Sequence, residues 1–494
     1  MDNKKKHKEM WGDRFSPSSP DSSVLLKEIL SKVQLPKKHV RALGEDFLRL
    51  FAFYEKNGLT DVEIRERVGE NILGDFYRPA DKNEWYRLDS AAKVYPLSMT
   101  HTHMTVFRVS AYLSEKAEPC VLQVALHAVL KRFPLFSTAC CRGMFWHYFD
   151  AIRRPIPVRE ETAPPCSFFK LGKRKTPCFQ VLYHKNRVSL EIFHALTDGT
   201  GAMVFLKTLI REYLRLLGKP QGKSTLPEIT AAPRKEEAEN AFSKAERQAK
   251  GTGFMQKMAL QPGKGHRKRK NDRVLHFIMP TDALRQAAKA KNVTVTVLLT
   301  ETIFRGVQKA AHKAKDTANM QVQIPVNMRK FYPSETLRNF SLYAVISLAK
   351  GTKPGEEMRA EITRQLTEQT GEASLSRMLY SANQMATNPL VRIMPLELKN
   401  FVLKKIYGIL GEKVLSATLS NLGAVETEFG DNVQFFDFVL GATSKTNIKC
   451  TLISYGETSV FTVTDSLRKN PFGEVICQSL AEMEIPFYIE GVAD

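Results

Sequence analysis

The chain has 494 residues, 43 % of them hydrophobic and 25 % charged, an ordinary soluble composition with enough apolar surface for a sizeable core in roughly two to four domains. Its formal charge is +21 with a pI near 9.5. The charge favours anionic partners, whether nucleotide phosphates, acidic proteins, nucleic acid or anionic lipid. The N-terminal 20 residues carry lysines without an apolar core, so a secretory signal is not expected, and no run of about 20 uninterrupted apolar residues marks a membrane-spanning segment.

The seven cysteines, at 120, 140, 141, 166, 178, 450 and 477, follow no framework or metal spacing. They read as reduced thiols of a cytoplasmic protein. Basic residues are dense in three runs, at 4–8, 170–175 and 264–273. Each run reads either as solvated surface and linker or as part of a phosphate site for a coenzyme.

In chain order, residues 1–80 form a helical N-terminal extension. Apolar residues at three-to-four spacing predict helices over 23–33 and 38–56. Thr60 with Glu63 makes a capping box for a third. From about residue 81 the pattern turns to α/β. A strand is expected over 104–113, a helix over 119–132 with Pro119 in its first turn, and a strand over 135–141. An aromatic-rich turn at 143–150 leads into another strand. Two strands at 177–184 and 187–193, separated by Lys185-Asn186, form a hairpin. An amphipathic helix over 200–217 stops at Gly218-Lys219-Pro220. The first lobe is therefore placed at 81–218.

Residues 219–273 read as a basic crossover linker, of which 261–273 is expected to be exposed and mobile. The second lobe, 274–494, opens with a strand at 274–279 and helices over 281–291 and 294–313. Strands follow at 320–326 and 340–348. Two or three helices fill 355–411. Further strands are expected at 414–420, 433–440, 447–454 and 459–464, before a last helix over 471–483. Both lobes share this alternation of helix and strand.

The stretch with the clearest chemistry is Phe193-His194-Ala195-Leu196-Thr197-Asp198-Gly199. It places an imidazole at a strand end, where loops and clefts gather. With an unperturbed pKa of about 6.5, a neutral imidazole there can take a proton from an alcohol, amine or thiol near pH 7. A histidine that only caps the turn is the plain alternative. Gly199 is read as the residue that lets the chain turn tightly from strand to helix. Asp198 either sits at a helix N-terminus or needs a buried cationic partner, for which an arginine giving charge-assisted bonds is best suited. Two more strand ends carry polar residues: Pro325-Val326-Asn327-Met328-Arg329 with the following Arg338-Asn339-Phe340, and Ser420-Asn421-Leu422-Gly423. The functional reading pairs Arg329 with Asp198 and uses Asn327 or Asn339 to fix nearby backbone. Ordinary loop chemistry is the other reading.

These three motifs, in this order and at these separations, resemble the H-x-x-x-D-G acyltransferase superfamily. That superfamily includes chloramphenicol acetyltransferase, plant acyl-CoA alcohol acyltransferases, wax ester synthases, mycobacterial polyketide-associated acyltransferases and nonribosomal-peptide condensation domains. Within it the chain looks most like the bacterial alcohol-acetyltransferase-like branch. The resemblance covers about residues 85–493. It implies an α/β fold of two chloramphenicol-acetyltransferase-like domains, a V-shaped pair with a central tunnel, beside the helical extension. It maps the catalytic histidine onto His194, the structural aspartate onto Asp198, and that aspartate's arginine partner onto Arg329. The asparagine and serine-asparagine positions fall on Asn327, Asn339, Asn421 and Ser420, the last a candidate oxyanion donor.

What the resemblance implies chemically is direct acyl transfer from a coenzyme A thioester to a small alcohol or amine. Acyl-CoA would be a co-substrate, with no permanently bound cofactor and no metal. An acyl carrier protein is the alternative donor, and a non-catalytic binding protein of the same fold is a third reading. The position before His194, a second histidine in many condensation domains, is Phe193, and the plant enzymes' D-F-G-W-G motif is absent. Both departures weigh against those branches. No recognition motif accompanies the basic runs, so nucleic acid is not expected as a partner. The chain is expected to be a monomer.

Overall fold

The structure is a computed structural model. It describes residues 20–33, 35–73, 85–98, 105–167, 176–244, 258–262, 268–311, 318–402, 415–441, 447–468 and 471–492. The basic runs at 4–8 and 170–175 lie outside these residues, as does part of the third.

Among the described residues, three sheets organise the fold. A five-stranded sheet runs in the order Val433–Leu440, Val106–Leu113, Arg187–Phe193, Phe179–His184, Val158–Glu160. Its pairs are antiparallel except the last. A seven-stranded sheet runs Ser341–Leu348, Met320–Asn327, Ala417–Val425, Ile448–Tyr455, Thr458–Leu467, Lys268–Pro280, Tyr488–Val492. A small antiparallel sheet joins Trp85–Arg87, His147–Ala151 and Thr138–Arg142. The strand Val433–Leu440 lies late in the chain yet pairs with Val106–Leu113, so the last third of the sequence completes the first sheet.

Local chemistry explains the elements nearest the site. Phe179–His184 and Arg187–Phe193 form the expected hairpin, with Lys185 at φ 51° taking the left-handed turn position. The helix Gly199–Leu217 starts on Asp198 and ends on Gly218 at φ 70°, an αL stop. A Cβ at Gly218 would also strike the Arg67 guanidinium, so that turn is closed by packing as well as by backbone.

The N-terminal helices Pro20–Ser31, Lys37–Lys56 and Asp61–Leu73 are part of the first lobe's core. Leu43, Phe47, Leu50, Phe51 and Tyr54 are buried among residues of Pro119–Arg132 and Gly199–Leu217. The Tyr54 hydroxyl donates to Leu216 O at 2.8 Å, and Arg215 Nη1 donates to Arg67 O at 2.7 Å. Thr60 and Glu63 make the capping box, with Thr60 N–H donating to Glu63 Oε2 at 2.8 Å.

Some expectations differ from the structure. The strand expected over 135–141 begins only at Thr138, because Pro134 opens a 3-10 turn over Pro134–Phe136. The piece 261–273, expected to be exposed and mobile, contains strand from Lys268 onward, paired antiparallel with Thr458–Leu467. Gln261 Nε2 also donates to Leu415 O at 3.0 Å. Sheet pairing, which the lysine-rich sequence does not advertise, holds the part from Lys268 onward. Earlier in the same crossover, Glu237 is buried in an ion pair with Arg132 and Phe242 packs edge-on against Phe340.

Candidate active site

His194 stands one residue past the end of Arg187–Phe193, and its backbone N–H donates to Thr105 O at 2.9 Å. Two aromatic rings fix its plane. Tyr95 stacks on it with centroids 4.6 Å apart and an interplanar angle of 18°, and Phe107 meets it edge-on at 4.9 Å. Phe107 comes from the neighbouring strand, whereas Tyr95 opens the short helix Tyr95–Ser98.

The ring nitrogens are inequivalent. Asn339 Oδ1 lies 3.0 Å from His194 Nδ1. The Asn339 amide nitrogen donates to Ala195 O at 3.3 Å and faces Asp89 Oδ2 at 3.5 Å, both acceptors. This pattern assigns the Asn339 oxygen to the imidazole, so Nδ1 carries the proton and Nε2 the lone pair. Among the described residues Nε2 has no hydrogen-bond partner. Burial holds the imidazole below its ordinary pKa of 6.5, against the opposing pull of Asn339 and the Asp198 charge. The ring is therefore neutral at pH 7 and basic at Nε2.

Asp198 points away from the imidazole. It caps the helix Gly199–Leu217, Oδ1 accepting from Gly201 N–H at 3.1 Å. Its Oδ2 accepts from Phe340 N–H at 2.9 Å and from Arg329 Nη1 at 2.8 Å. Arg329 Nη1 also donates to Asn327 Oδ1 at 3.3 Å, and its other donors go to backbone: Nε and Nη2 reach Thr336 O at 3.0 and 2.8 Å, and Nη2 reaches Arg338 O at 2.6 Å. Asn327 Oδ1 accepts from Arg329 N–H at 3.0 Å, and its amide donates to Thr200 Oγ1 at 3.3 Å. Asp198, Arg329 and Asn327 thus bolt the segment 336–340, which carries Asn339, to the helix that follows His194. Each polar atom in the bolt has a partner, which a buried ion pair requires.

Gly199 serves a purpose other than a tight turn. Its φ is not positive. A Cβ there would sit 2.6 Å from Leu422 Cδ2, so the glycine admits the Ser420–Gly423 strand against the helix start. Gly201, passed over in the sequence, is tighter: a Cβ would lie 2.2 Å from both Leu337 O and Thr197 Oγ1. A second glycine in a helix's first turn is a legible signal, since glycine inside a helix is unfavourable without a packing reason.

Asn421 is not among the residues around His194. Its Oδ1 accepts from Gly423 N–H at 2.8 Å across a bulge, and its amide donates to Thr296 Oγ1 at 3.2 Å. Ser420 lies beside Thr451 in the same sheet and makes no side-chain hydrogen bond among the described residues. Asp89, not anticipated from the sequence, forms a buried pair behind Asn339 with Arg338 of the Arg338-Asn339-Phe340 motif, Arg338 Nε lying 3.5 Å from Asp89 Oδ2. Burial pushes the Asp89 carboxyl up, while Arg338 and the Ala92 N–H, 2.6 Å from Oδ1, pull it down.

No protein-family model matches the sequence, and no curated protein matches it significantly. Solved structures do resemble the fold. The first condensation domain of the calcium-dependent antibiotic synthetase, solved with a substrate analogue, aligns with a TM-score of 0.56 at 14 % identity over 83 % of this chain and 100 % of that one. TRI101 of F. graminearum, complexed with coenzyme A and T-2 mycotoxin, gives 0.55 at 13 % identity over 83 % and 100 %. Polyketide synthase associated protein 5 from Mycobacterium tuberculosis gives 0.53 at 11 % identity over 82 % and 98 %. Such likenesses speak for the fold: the chain is built on the two-lobed architecture of condensation domains and chloramphenicol-acetyltransferase-like acyltransferases.

Proposed function

We propose that this protein is an acyltransferase that moves an acyl group from a coenzyme A thioester to an alcohol or amine, with His194 as general base. The observation that carries the reading is the His194–Asn339 contact, which leaves a neutral imidazole with its Nε2 lone pair unengaged. The TRI101 structure, of the same fold, holds coenzyme A, and the +21 charge suits a donor with several phosphates.

The chemistry needs no covalent acyl-enzyme. Nε2 takes the proton of the acceptor O–H or N–H as the heteroatom attacks the thioester carbonyl. The tetrahedral oxyanion then collapses, the C–S bond breaks, and the imidazolium returns its proton to the departing thiolate. General base work of this kind is worth about 10²–10⁴-fold. Holding both substrates in one site, and donors to the oxyanion, must supply the rest. Ser420, with its hydroxyl unengaged, is our candidate for one such donor. The bolt of Asp198, Arg329 and Asn327 positions the base and stays out of the proton transfer.

A carrier-protein thioester is the second reading, favoured by the likeness to a condensation domain. Thiol release from acyl-CoAs of increasing chain length, acetyl to palmitoyl, with pooled alcohols and amines, separates the two. Acceptor-dependent release by the wild type and none by His194→Ala is the expected result. Release only from an acylated carrier protein would move the donor to the second reading. Full turnover by His194→Ala would remove the histidine from the chemistry.

A further inference from the structure

The small three-stranded sheet and the helices near residue 390 meet at an apolar surface that the transfer chemistry does not use. The turn after Thr138–Arg142 presents Met144 and Phe145 to solvent. Beside it lie the helix Pro389–Ile393 and a helical segment at 396–402, presenting Leu390, Ile393, Leu398 and Phe401. These six are close to half of the large hydrophobic side chains exposed among the described residues. Leu390 and Met144 are both 72 % exposed, so they project outward and do not line a groove. The two pieces are fastened together: Leu396 N–H donates to Met144 O at 2.9 Å, Lys399 Nζ donates to Phe145 O at 2.8 Å, and Arg142 pairs with Glu397.

Cationic side chains lie in and beside the patch. Trp146 carries two ammonium groups on its ring, Lys399 Nζ at 3.7 Å and Lys93 Nζ at 4.8 Å from the centroid. Lys399 is itself buried, its ammonium bonded to the carbonyl oxygens of Phe145 and Arg392, so it holds the two pieces together and does not face solvent. Among the described residues no carboxylate pairs with Lys399 or with Arg392, and Arg392 is exposed. Projecting Phe, Leu, Ile and Met side chains with the exposed Arg392 guanidinium beside them are what the boundary of an anionic bilayer takes up: the apolar groups enter the acyl region and the guanidinium meets lipid phosphate.

We propose that this surface docks the protein on an anionic lipid bilayer, lying in the interface without spanning it. The +21 charge of the whole chain acts in the same direction. Lys93 is two residues from Tyr95, whose ring stacks on His194, so the docked face adjoins the wall of the imidazole. The docking itself does not depend on the acyl-transfer reading.

The test is cosedimentation of the full chain with sucrose-loaded vesicles, either phosphatidylcholine alone or equal parts phosphatidylcholine and phosphatidylglycerol. The wild type should bind the mixed vesicles, bind phosphatidylcholine far less, and release as salt rises. Leu390→Asp combined with Ile393→Asp should weaken binding about ten-fold or more with an unchanged melting temperature. If that variant melts early, Phe145→Ser on the turn provides the same comparison. Absence of binding to the mixed vesicles overturns the proposal. So does binding by the variants equal to wild type, which would assign attachment to the basic runs elsewhere. A wild-type dimer in sedimentation velocity that the double variant abolishes would assign the surface to a second copy of this chain, and would equally overturn it.

Discussion

Asn339 Oδ1 lies 3.0 Å from His194 Nδ1, and that contact decides which imidazole nitrogen is basic. Asn339→Ala removes the acceptor and lets the ring take the other tautomer. Turnover in the thiol-release assay should fall on the order of 10²-fold. The KM values and the melting temperature should change little by comparison. A variant with wild-type turnover would show that the tautomer is set elsewhere.

The pH dependence follows from the same contact. Burial lowers the His194 pKa below 6.5, so the acid limb of the rate profile should lie below pH 6.5, with full activity above it. Asn339→Asp puts a carboxylate beside the imidazole and favours the charged form. The acid limb should then move to higher pH. A limb unmoved in that variant would mean that the titrating group is not His194.

The Asp198–Arg329 pair is nearly enclosed, its side chains 6 % and 12 % exposed. Removing one partner strands the other charge, so Asp198→Ala or Arg329→Ala should each cost about 3–5 kcal/mol of stability. Activity should fall with it. The double variant should cost less than the sum, because it leaves no unpaired charge. Denaturant unfolding of the four proteins measures the coupling. Additive losses would contradict a direct pair.

Gly201 and Gly199 should respond differently to alanine. At Gly201 the new Cβ meets the Leu337 carbonyl oxygen at 2.2 Å, a backbone atom that cannot move alone. Gly201→Ala should cost about 1–3 kcal/mol or more and lower activity by pushing 336–340 away from His194. At Gly199 the clash is with the end of the Leu422 side chain, which can rotate. Gly199→Ala should therefore be the milder of the two in thermal melts.

His147 has a stability signature of its own. Burial first, and Arg142 second, push its pKa down to about 4. In the unfolded chain it binds a proton near pH 6.5. Its contribution to stability is thus present above pH 6.5 and is lost as pH falls through about 4. His147→Gln should flatten the decline in melting temperature over that window relative to wild type. An identical decline would assign it to other groups.

The sequence by itself determined the local elements and the motif order. The Lys185-Asn186 turn, the helix after Asp198 with its stop at Gly218, and the strand ends carrying His194 and Asn327 are all consequences of short-range spacing and backbone preference, whereas Ser420, expected to end a strand over 414–420, lies inside Ala417–Val425. Which of these strand ends meet was decided only in three dimensions. Asn339 reaches His194 across 145 positions and Arg329 reaches Asp198 across 131, whereas Asn421, in an equally suggestive motif, turns to Thr296. Asp89 and Tyr95 carried no readable pattern, because their importance rests on burial beside partners far away in the chain. The strand Val433–Leu440 joins the first sheet for the same reason: a strand's periodicity specifies its faces but not its neighbour.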